Sequence, residues 1–256
     1  MATAIIKGIL SNVGADDFLI RAYDVLPEKV ESLEPLGVIP AKTISSAVDN
    51  ADFLFLAVKP QNFEDALETI KPHFSKKTVV VSIAAGITAG YIKKMLDVDC
   101  KVVLVMPNTP LLLGKGASAL AKVSPTSNEE FKAVCDIFAA SGEIAVIPEE
   151  KMKEIIAING SSPAFIYLFA KGFIDYAENV GIDSEAALKL FCQTLKGSAE
   201  MMQNSGNSID DLIKMVSSKG GTTIAGLNRF EEHNLLDAIR DACESCTKRA
   251  YELSKS

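Results

Sequence analysis

The loop before one of the last predicted helices combines glycine and hydroxyl residues in a pattern suited to binding an anion. Gly220 and Gly221 come directly before a helix whose first turn carries Thr222 and Thr223. The N–H groups at the start of a helix have no partner within it, and the helix dipole places positive charge there. A carboxylate would fit that position, with Ser218 beside it. The same pattern is also typical of a plain loop with threonine caps, so the residues alone leave both interpretations open.

Strand-like and helix-like segments alternate through the first half of the chain. Compact runs of Val, Leu, Ile and Phe suit strands that are buried on both faces of a parallel sheet. We predict strands at residues 18–23, 53–58, 79–83, 102–106 and 144–147. We predict helices at residues 1–12, 62–70, 88–96 and 128–140. This alternation predicts an α/β fold with an open, doubly wound sheet of the dinucleotide-binding type.

The pattern changes after residue 149, where no further strand is predicted. We predict helices at residues 161–180, 184–204, 208–216, 220–231 and 235–253. Residues 1–149 therefore form a predicted Rossmann-like sheet domain, and residues 150–256 a predicted all-helical domain. The helices carry more apolar residues than a small domain can bury, with Leu188, Leu190, Phe191 and Leu195 close together on one of them. We therefore expect the helical domain to form a dimer interface.

Composition argues against several classes of function. The formal charge is −7, from 26 basic and 33 acidic residues, and an acidic chain without a basic cluster is a poor binder of nucleic acid. No apolar run approaches the roughly 20 residues that span a membrane. Cys243 and Cys246 lack a second pair and the two histidines stand alone, so we expect no metal site. We expect no secretory signal and a cytoplasmic location with reduced cysteines.

The glycine and hydroxyl loop resembles the signature of pyrroline-5-carboxylate reductases, which reads S-P-G-G-x-T before a helix. Ser218, Gly220, Gly221 and Thr223 match that signature. Lys219 replaces the family's proline, and because proline mainly stiffens a loop, we expect a looser loop with the site retained.

Four other segments resemble the family's motifs in the same order along the chain. They are Ala57-Val58-Lys59-Pro60, Ser82-Ile83-Ala84-Ala85-Gly86-Ile87, Met106-Pro107-Asn108-Thr109-Pro110 and Gly160-Ser161-Ser162-Pro163-Ala164, in which Ser162 replaces a glycine. The resemblance implies that the first three segments bind the cofactor. The residues concerned are Ala57, Val58, Lys59, Pro60, Ala84, Ala85, Gly86 and Asn108, with Ala84, Ala85 and Asn108 on the nicotinamide side.

The beginning of the chain departs from the family pattern. The family opens with a strand and then G-x-G-N-M-[AG]-x-A, whereas this chain begins Met1-Ala2-Thr3-Ala4, with Ala2 at the third glycine position. We therefore expect that the sheet lacks its first strand and that the sequence is an N-terminally truncated record. Asp24 lies 22 residues after Ala2 (24 − 2), a spacing at which an acidic residue contacts the adenine ribose. A plain turn residue before Pro27 explains Asp24 equally well.

The resemblance implies reduction of Δ1-pyrroline-5-carboxylate to proline, with hydride from NADPH or NADH. Ser218 and the N–H groups of Gly221, Thr222 and Thr223 would hold the substrate carboxylate. The Thr223 hydroxyl would be catalytic, bonded to the ring nitrogen. The resemblance also implies a homodimer, or a ring of dimers, joined through the helical domain.

Three alternatives compete with this interpretation. A β-hydroxyacid dehydrogenase needs a G-x-x-G-x-x-x-K pattern, but Pro163 stands at the third position after Gly160 and Lys171 is out of register. A non-catalytic nucleotide-binding relative is compatible with the departures at Lys219 and Ser162. A purely structural interaction protein would not need the glycine and hydroxyl loop.

Overall fold

The computed structural model describes residues 1–12 and 18–254 of the chain. These residues fall into two compact units, one made of Met1–Ser161 with the chain from Ser245 onward, and the other of Ser162–Glu244. The predicted boundary at residue 149, between a sheet domain and a helical domain, does not coincide with this division into compact units and stays a prediction. No helix in the described residues is long and apolar enough to cross a membrane.

The strands of the first unit form two separate sheets. β1 (Arg21–Ala22) pairs in parallel with β2 (Ile39–Pro40). The other sheet has the order β3 (Phe53–Leu56), β4 (Val79–Ser82), β5 (Lys101–Met106), β6 (Gly116–Val123), β7 (Gly142–Val146). β3, β4 and β5 run parallel, β6 is antiparallel to β5, and β7 is parallel to β6.

Helices cover both faces of the five-stranded sheet. They are α1 (Ala2–Asn12), α3 (Ile44–Val48), α4 (Phe63–Ile70), α5 (Ala89–Leu96) and α6 (Asn128–Ala139), whereas α2 (Pro27–Glu31) contacts β2 of the smaller sheet. Side chains alternate along β4, so Val80 packs with α4 and α5 while Val79 and Val81 pack with α1 and α6. These buried faces explain why the central strands read as continuous apolar runs. The predicted Rossmann-like fold class is confirmed.

β6 is the element that sequence reasoning missed. Its sequence, Gly-Ala-Ser-Ala-Leu-Ala-Lys-Val, has a single β-branched residue and therefore a weak strand signal. Only residues 107–115 separate it from β5, which is shorter than the dozen or more residues that a parallel crossover requires. The strand therefore returns antiparallel. The predicted strand at 18–23 is also shorter than expected, since only Arg21–Ala22 pair.

The second unit contains helices whose bounds lie close to those predicted. They are α7 (Ser162–Asn179), α8 (Ser184–Asn204), α9 (Ile209–Met215), α10 (Thr222–Glu232) and α11 (Leu235–Leu253), the last of which ends in the first unit. Phe173 stacks on Phe191 with ring centroids 4.6 Å apart, and Phe169 contacts both Phe173 and Phe230. These aromatic residues pack helix against helix.

Candidate active site

The residues predicted to bind the cofactor follow three neighbouring parallel strands. Leu56 at the end of β3 pairs with Ser82 at the end of β4, which pairs with Leu104 near the end of β5. The carboxyl ends of these strands therefore meet at one edge of the sheet, which is where open α/β sheets bind ligands. This register brings together the segments 57–60, 84–86 and 106–108.

The loop after β3 is the most open of the three. The strand ends at Leu56, so Ala57, Val58 and Lys59 are exposed, and a 3-10 turn begins at Pro60. These three residues are accessible to a ligand.

The loop after β4 is tightly packed. Gly86 has φ +80°, a conformation that favours glycine, and a Cβ there would lie 3.3 Å from the Ala250 carbonyl oxygen at the end of α11. A small cavity of about 40 Å³ lies beside this loop, with Ser82, Ala84 and Met106 in its lining. The Ser82 hydroxyl is buried and has no hydrogen-bond partner among the described residues.

Polar contacts with Lys153 and Glu154 hold the end of α11 next to this loop. The Lys153 ammonium lies 4.4 Å from the centroid of the Tyr251 ring and donates to the Ser254 hydroxyl at 3.1 Å. The Tyr251 hydroxyl donates to Glu154 Oε1 at 3.1 Å, and this hydrogen bond raises the pKa of Tyr251. The Gly86 segment is therefore backed by the last turn of α11.

The loop after β5 is held by two asparagines. Asn108 Oδ1 accepts a hydrogen bond from the Ala117 N–H at 2.9 Å. Asn159 Nδ2 donates to the Met106 carbonyl at 2.7 Å and to the Ala117 carbonyl at 3.2 Å. Sequence reasoning identified Asn108 but missed Asn159, whose only signal was its position directly before Gly160.

Asp24 makes the turn contact that was one of its two possible roles. Its Oδ1 accepts from the Leu26 N–H at 3.0 Å, which is a turn contact. The same oxygen lies 3.6 Å from Lys29 Nζ, and the side chain is 37% exposed. Its contact with a ribose stays a prediction. Ala2 is exposed in the first turn of α1, where N–H groups lack intrahelical partners.

The predicted substrate loop lies between α9 and α10 in the second unit. Gly220 has φ +73°, and α10 starts after Gly221 without any side-chain cap. A Cβ on Gly221 would lie 2.6 Å from the Ser218 hydroxyl oxygen, so only glycine lets that hydroxyl approach the helix start. Ser218, Thr222 and Thr223 are exposed.

One expected donor of this loop is already engaged. The Gly221 N–H donates to the Ser218 carbonyl at 2.9 Å, which closes the turn. The sequence assigned this N–H to the substrate carboxylate. The donors left for an anion are the N–H groups of Thr222 and Thr223, together with the hydroxyls of Ser218 and Thr223.

The structure thus assembles two groups of candidate residues, one in each compact unit. The strand-end residues belong to the first unit, and Ser218 to Thr223 belong to the second. In the described part of the chain, no three His, Cys, Asp or Glu side chains cluster as metal ligands would.

Two separate parts of the chain each match a known protein family. Residues 149–253 match the family described as pyrroline-5-carboxylate reductase dimerisation. Residues 1–86 match the family described as NADP oxidoreductase, coenzyme F420-dependent.

Individual relatives match along almost the whole chain. Pyrroline-5-carboxylate reductase of Escherichia coli K12 is 33% identical over 100% of this chain and 96% of its own length. The crystal structure of the Plasmodium falciparum pyrroline carboxylate reductase with NADP bound is 28% identical, with a TM-score of 0.90 over 99% of this chain and 94% of that chain. The structure of a pyrroline-5-carboxylate reductase from Coxiella burnetii is 30% identical, with a TM-score of 0.90 over 100% and 95%. On this identity and coverage, and with a fold that agrees, the chain belongs to the pyrroline-5-carboxylate reductase family.

Proposed function

We propose that this protein reduces Δ1-pyrroline-5-carboxylate to proline with NADPH or NADH, the last step of proline biosynthesis. The observation that carries the proposal is the uncapped start of α10, where Gly220 and Gly221 place Ser218 beside free N–H groups. The relatives named above carry the name of this reaction. A small carboxylate is the ligand that such a site favours.

The substrate carboxylate is proposed to bind at the N-terminus of α10. The N–H groups of Thr222 and Thr223 and the hydroxyl of Ser218 provide hydrogen bonds, and the dipole of an 11-residue helix adds positive potential. Gly221 contributes through its missing side chain, because any Cβ would collide with Ser218.

Thr223 is proposed to orient the imine. Its hydroxyl can accept a hydrogen bond from the protonated ring nitrogen, which fixes the C=N bond relative to the hydride donor. When hydride reaches the imine carbon, the C=N π electron pair moves to nitrogen and yields a secondary amine. A protonated imine is already an electrophile, so the protein mainly supplies orientation at about 3–3.5 Å between the reacting atoms.

The strand-end residues fit a dinucleotide, which supplies the hydride when it is bound. The Ala84–Gly86 loop carries only small side chains, so a flat ring can pass closely over its backbone. Asn108 and segment 57–60, of which residues 57–59 are exposed, line the same sheet edge. Ala2 at the start of α1 is proposed to face the diphosphate, and Asp24 the adenine ribose.

The second unit is proposed to complete its core against a second copy of the chain. In α8, α9 and α10 no described residue is buried, although these helices carry many large apolar residues. The match of residues 149–253 to a dimerisation family supports a homo-oligomer. A ring of dimers and a cytoplasmic location stay predictions.

A spectrophotometric assay tests the function. Purified protein with pyrroline-5-carboxylate should oxidise NADPH or NADH, and proline should appear in equal amount. A folded protein that binds the dinucleotide but forms no proline would overturn the reaction and favour a non-catalytic relative.

A further inference from the structure

We infer that Asn159 is a positioning residue for the dinucleotide, an assignment that rests on the proposed function. Its amide holds the loop after β5, which carries Asn108. Asn159 itself need not touch the ligand for this role.

The Asn159 amide joins two strands where their ladder ends. β5 and β6 pair up to Met106 opposite Ala119, and Ala117 lies beyond that pair. Asn159 Nδ2 donates to the carbonyls of Met106 at 2.7 Å and Ala117 at 3.2 Å. One side chain thus ties the last residue of β5 to the neighbouring strand.

Asn108 adds a second side-chain hydrogen bond at the same place. Its Oδ1 accepts from the Ala117 N–H at 2.9 Å, so both main-chain groups of Ala117 are bonded to asparagine side chains. Asn108 also begins the 3-10 turn Thr109–Leu113. Movement at Met106 or Ala117 would therefore displace Asn108, which is proposed to lie on the nicotinamide side.

The backbone around Asn159 is shaped to present this amide. Asn159 lies in a π-helical turn, Ile156–Gly160, closed by a hydrogen bond from the Ser161 N–H to the Ile156 carbonyl at 2.7 Å. Such turns are rare and often occur at functional sites. A Cβ on Gly160 would lie 3.4 Å from Met106 Sδ, so the turn packs directly against the end of β5.

The amide is retained at a cost to folding. Asn159 Oδ1 is buried and has no hydrogen-bond partner among the described residues. An unsatisfied buried acceptor is unfavourable. The two donated hydrogen bonds are the compensating feature.

The test uses the full chain with two substitutions at this position. Asn159→Asp keeps the shape but removes the donors, and Asn159→Ser keeps one donor on a shorter side chain. NADPH dissociation constants would be measured by calorimetry, which does not depend on turnover, and KM values for both substrates by steady-state kinetics.

Thr126→Val is the matched control. Thr126 is buried and its hydroxyl donates to the Val102 carbonyl at 3.1 Å, near the opposite end of β5. This substitution also removes a side-chain hydrogen bond to β5, but at the end of the strand that is far from Asn108.

We expect Asn159→Asp to raise the Kd and KM for NADPH about tenfold or more, the equivalent of about 1.4 kcal/mol. Asn159→Ser should raise them by a smaller factor. The KM for pyrroline-5-carboxylate should change less than twofold in both. Thr126→Val should lower the melting temperature while leaving the Kd for NADPH within twofold.

An Asn159→Ser protein with an unaltered Kd for NADPH would overturn the inference, even if Asn159→Asp fails to fold. So would an equal loss of NADPH affinity in Thr126→Val, because the effect would then be general destabilisation. If the unaltered protein binds NADPH but reduces no pyrroline-5-carboxylate, the reaction is wrong and the binding test of Asn159 still stands.

Discussion

Thr223 is the residue on which the proposed chemistry depends most directly. Replacement by valine keeps the shape and removes the hydroxyl. We expect Thr223→Val to lower kcat/KM for the imine roughly 5- to 150-fold, because a polar contact to the ring nitrogen is lost. This factor corresponds to about 1–3 kcal/mol of transition-state stabilisation. Steady-state kinetics would measure this. Thr69→Val, at an exposed helical threonine bonded to the Asp65 carbonyl, serves as the control and should have no effect. An unchanged kcat/KM in Thr223→Val would remove Thr223 from the mechanism.

Asp24 and Lys29 form an exposed charge pair that can set the coenzyme preference. If Asp24 meets the ribose, it accepts from a free 2′-hydroxyl and repels a 2′-phosphate, so NADH should work at least comparably to NADPH. Asp24→Ala should shift the ratio of kcat/KM values towards NADPH by roughly fivefold, about 1 kcal/mol. Lys29→Ala should shift the ratio the other way. A strong NADPH preference that Asp24→Ala leaves unchanged would show that the carboxylate does not face the ribose.

Residue-level prediction succeeded where the motif is local and failed where the partner is distant. Gly220 and Gly221 could be recognised because a turn before a helix start depends on adjacent residues. Asn159 did not, because its two acceptors lie 53 and 42 positions away. The engaged N–H of Gly221 depends on one particular turn geometry, which the residue types alone do not specify.

The elements of the fold could be predicted to the extent that burial shows in the sequence. β4 and β5 are apolar because both faces are covered, and α8 has the predicted bounds because Gly181 and Gly206 flank it. β6 could not be predicted, since pairing between β5 and β7 allows small residues such as alanine and glycine there. Tertiary packing overrides a weak strand propensity in that case.

The turn at Gly86 links β4 to the end of α11 and can be tested by adding one methyl group. Gly86→Ala should lower the free energy of unfolding by about 1–2 kcal/mol, because φ is positive and the Ala250 carbonyl is close. It should also raise the KM for the dinucleotide. Gly90→Ala, in the first turn of α5 and with nothing nearer than 3.9 Å, is the control and should be neutral or slightly stabilising. Equal stability of the two variants in urea denaturation would contradict this account.

Glu130 links the start of α6 to the start of β5. Burial opposes its ionisation, but hydrogen bonds from Lys101, from the Ser127 N–H and from the Ser127 hydroxyl outweigh burial, so the pKa lies below its ordinary value of 4.5. A lowered folded-state pKa gives stability that is present above the unfolded value and is lost as pH falls through the folded value.

Urea denaturation at a series of pH values tests this link. Glu130→Gln should be less stable than the unaltered protein above about pH 5, and the difference should shrink as pH falls below 4.5. Glu129→Gln, at the exposed neighbouring position of the same helix turn, should show a smaller and flatter difference. A Glu130→Gln deficit that is independent of pH would show that packing, not ionisation, is responsible.

At the scale of the whole molecule, the helical unit exposes large apolar side chains that we expect a second copy of the chain to cover. Leu168 is 72% exposed and Leu190 69% exposed in the single chain. Leu168→Glu should convert the proposed dimer to a monomer, or to aggregates, at micromolar concentration, as measured by light scattering. Leu36→Glu, at a 42% exposed leucine of the sheet unit, should leave the mass unchanged. A folded monomer of the unaltered protein at that concentration would refute the proposed interface.

The return of α11 to the first unit has a consequence for biosynthesis. The Gly86 loop is made early, but its backing at Ala250 and the Lys153 and Tyr251 contact require the last residues of α11. A nascent chain on the ribosome can therefore form the strands of the sheet while this corner is still open. Closing so long a loop is slow. Competence to bind the dinucleotide should consequently appear only after α11 has been made, in a step later than formation of the sheet.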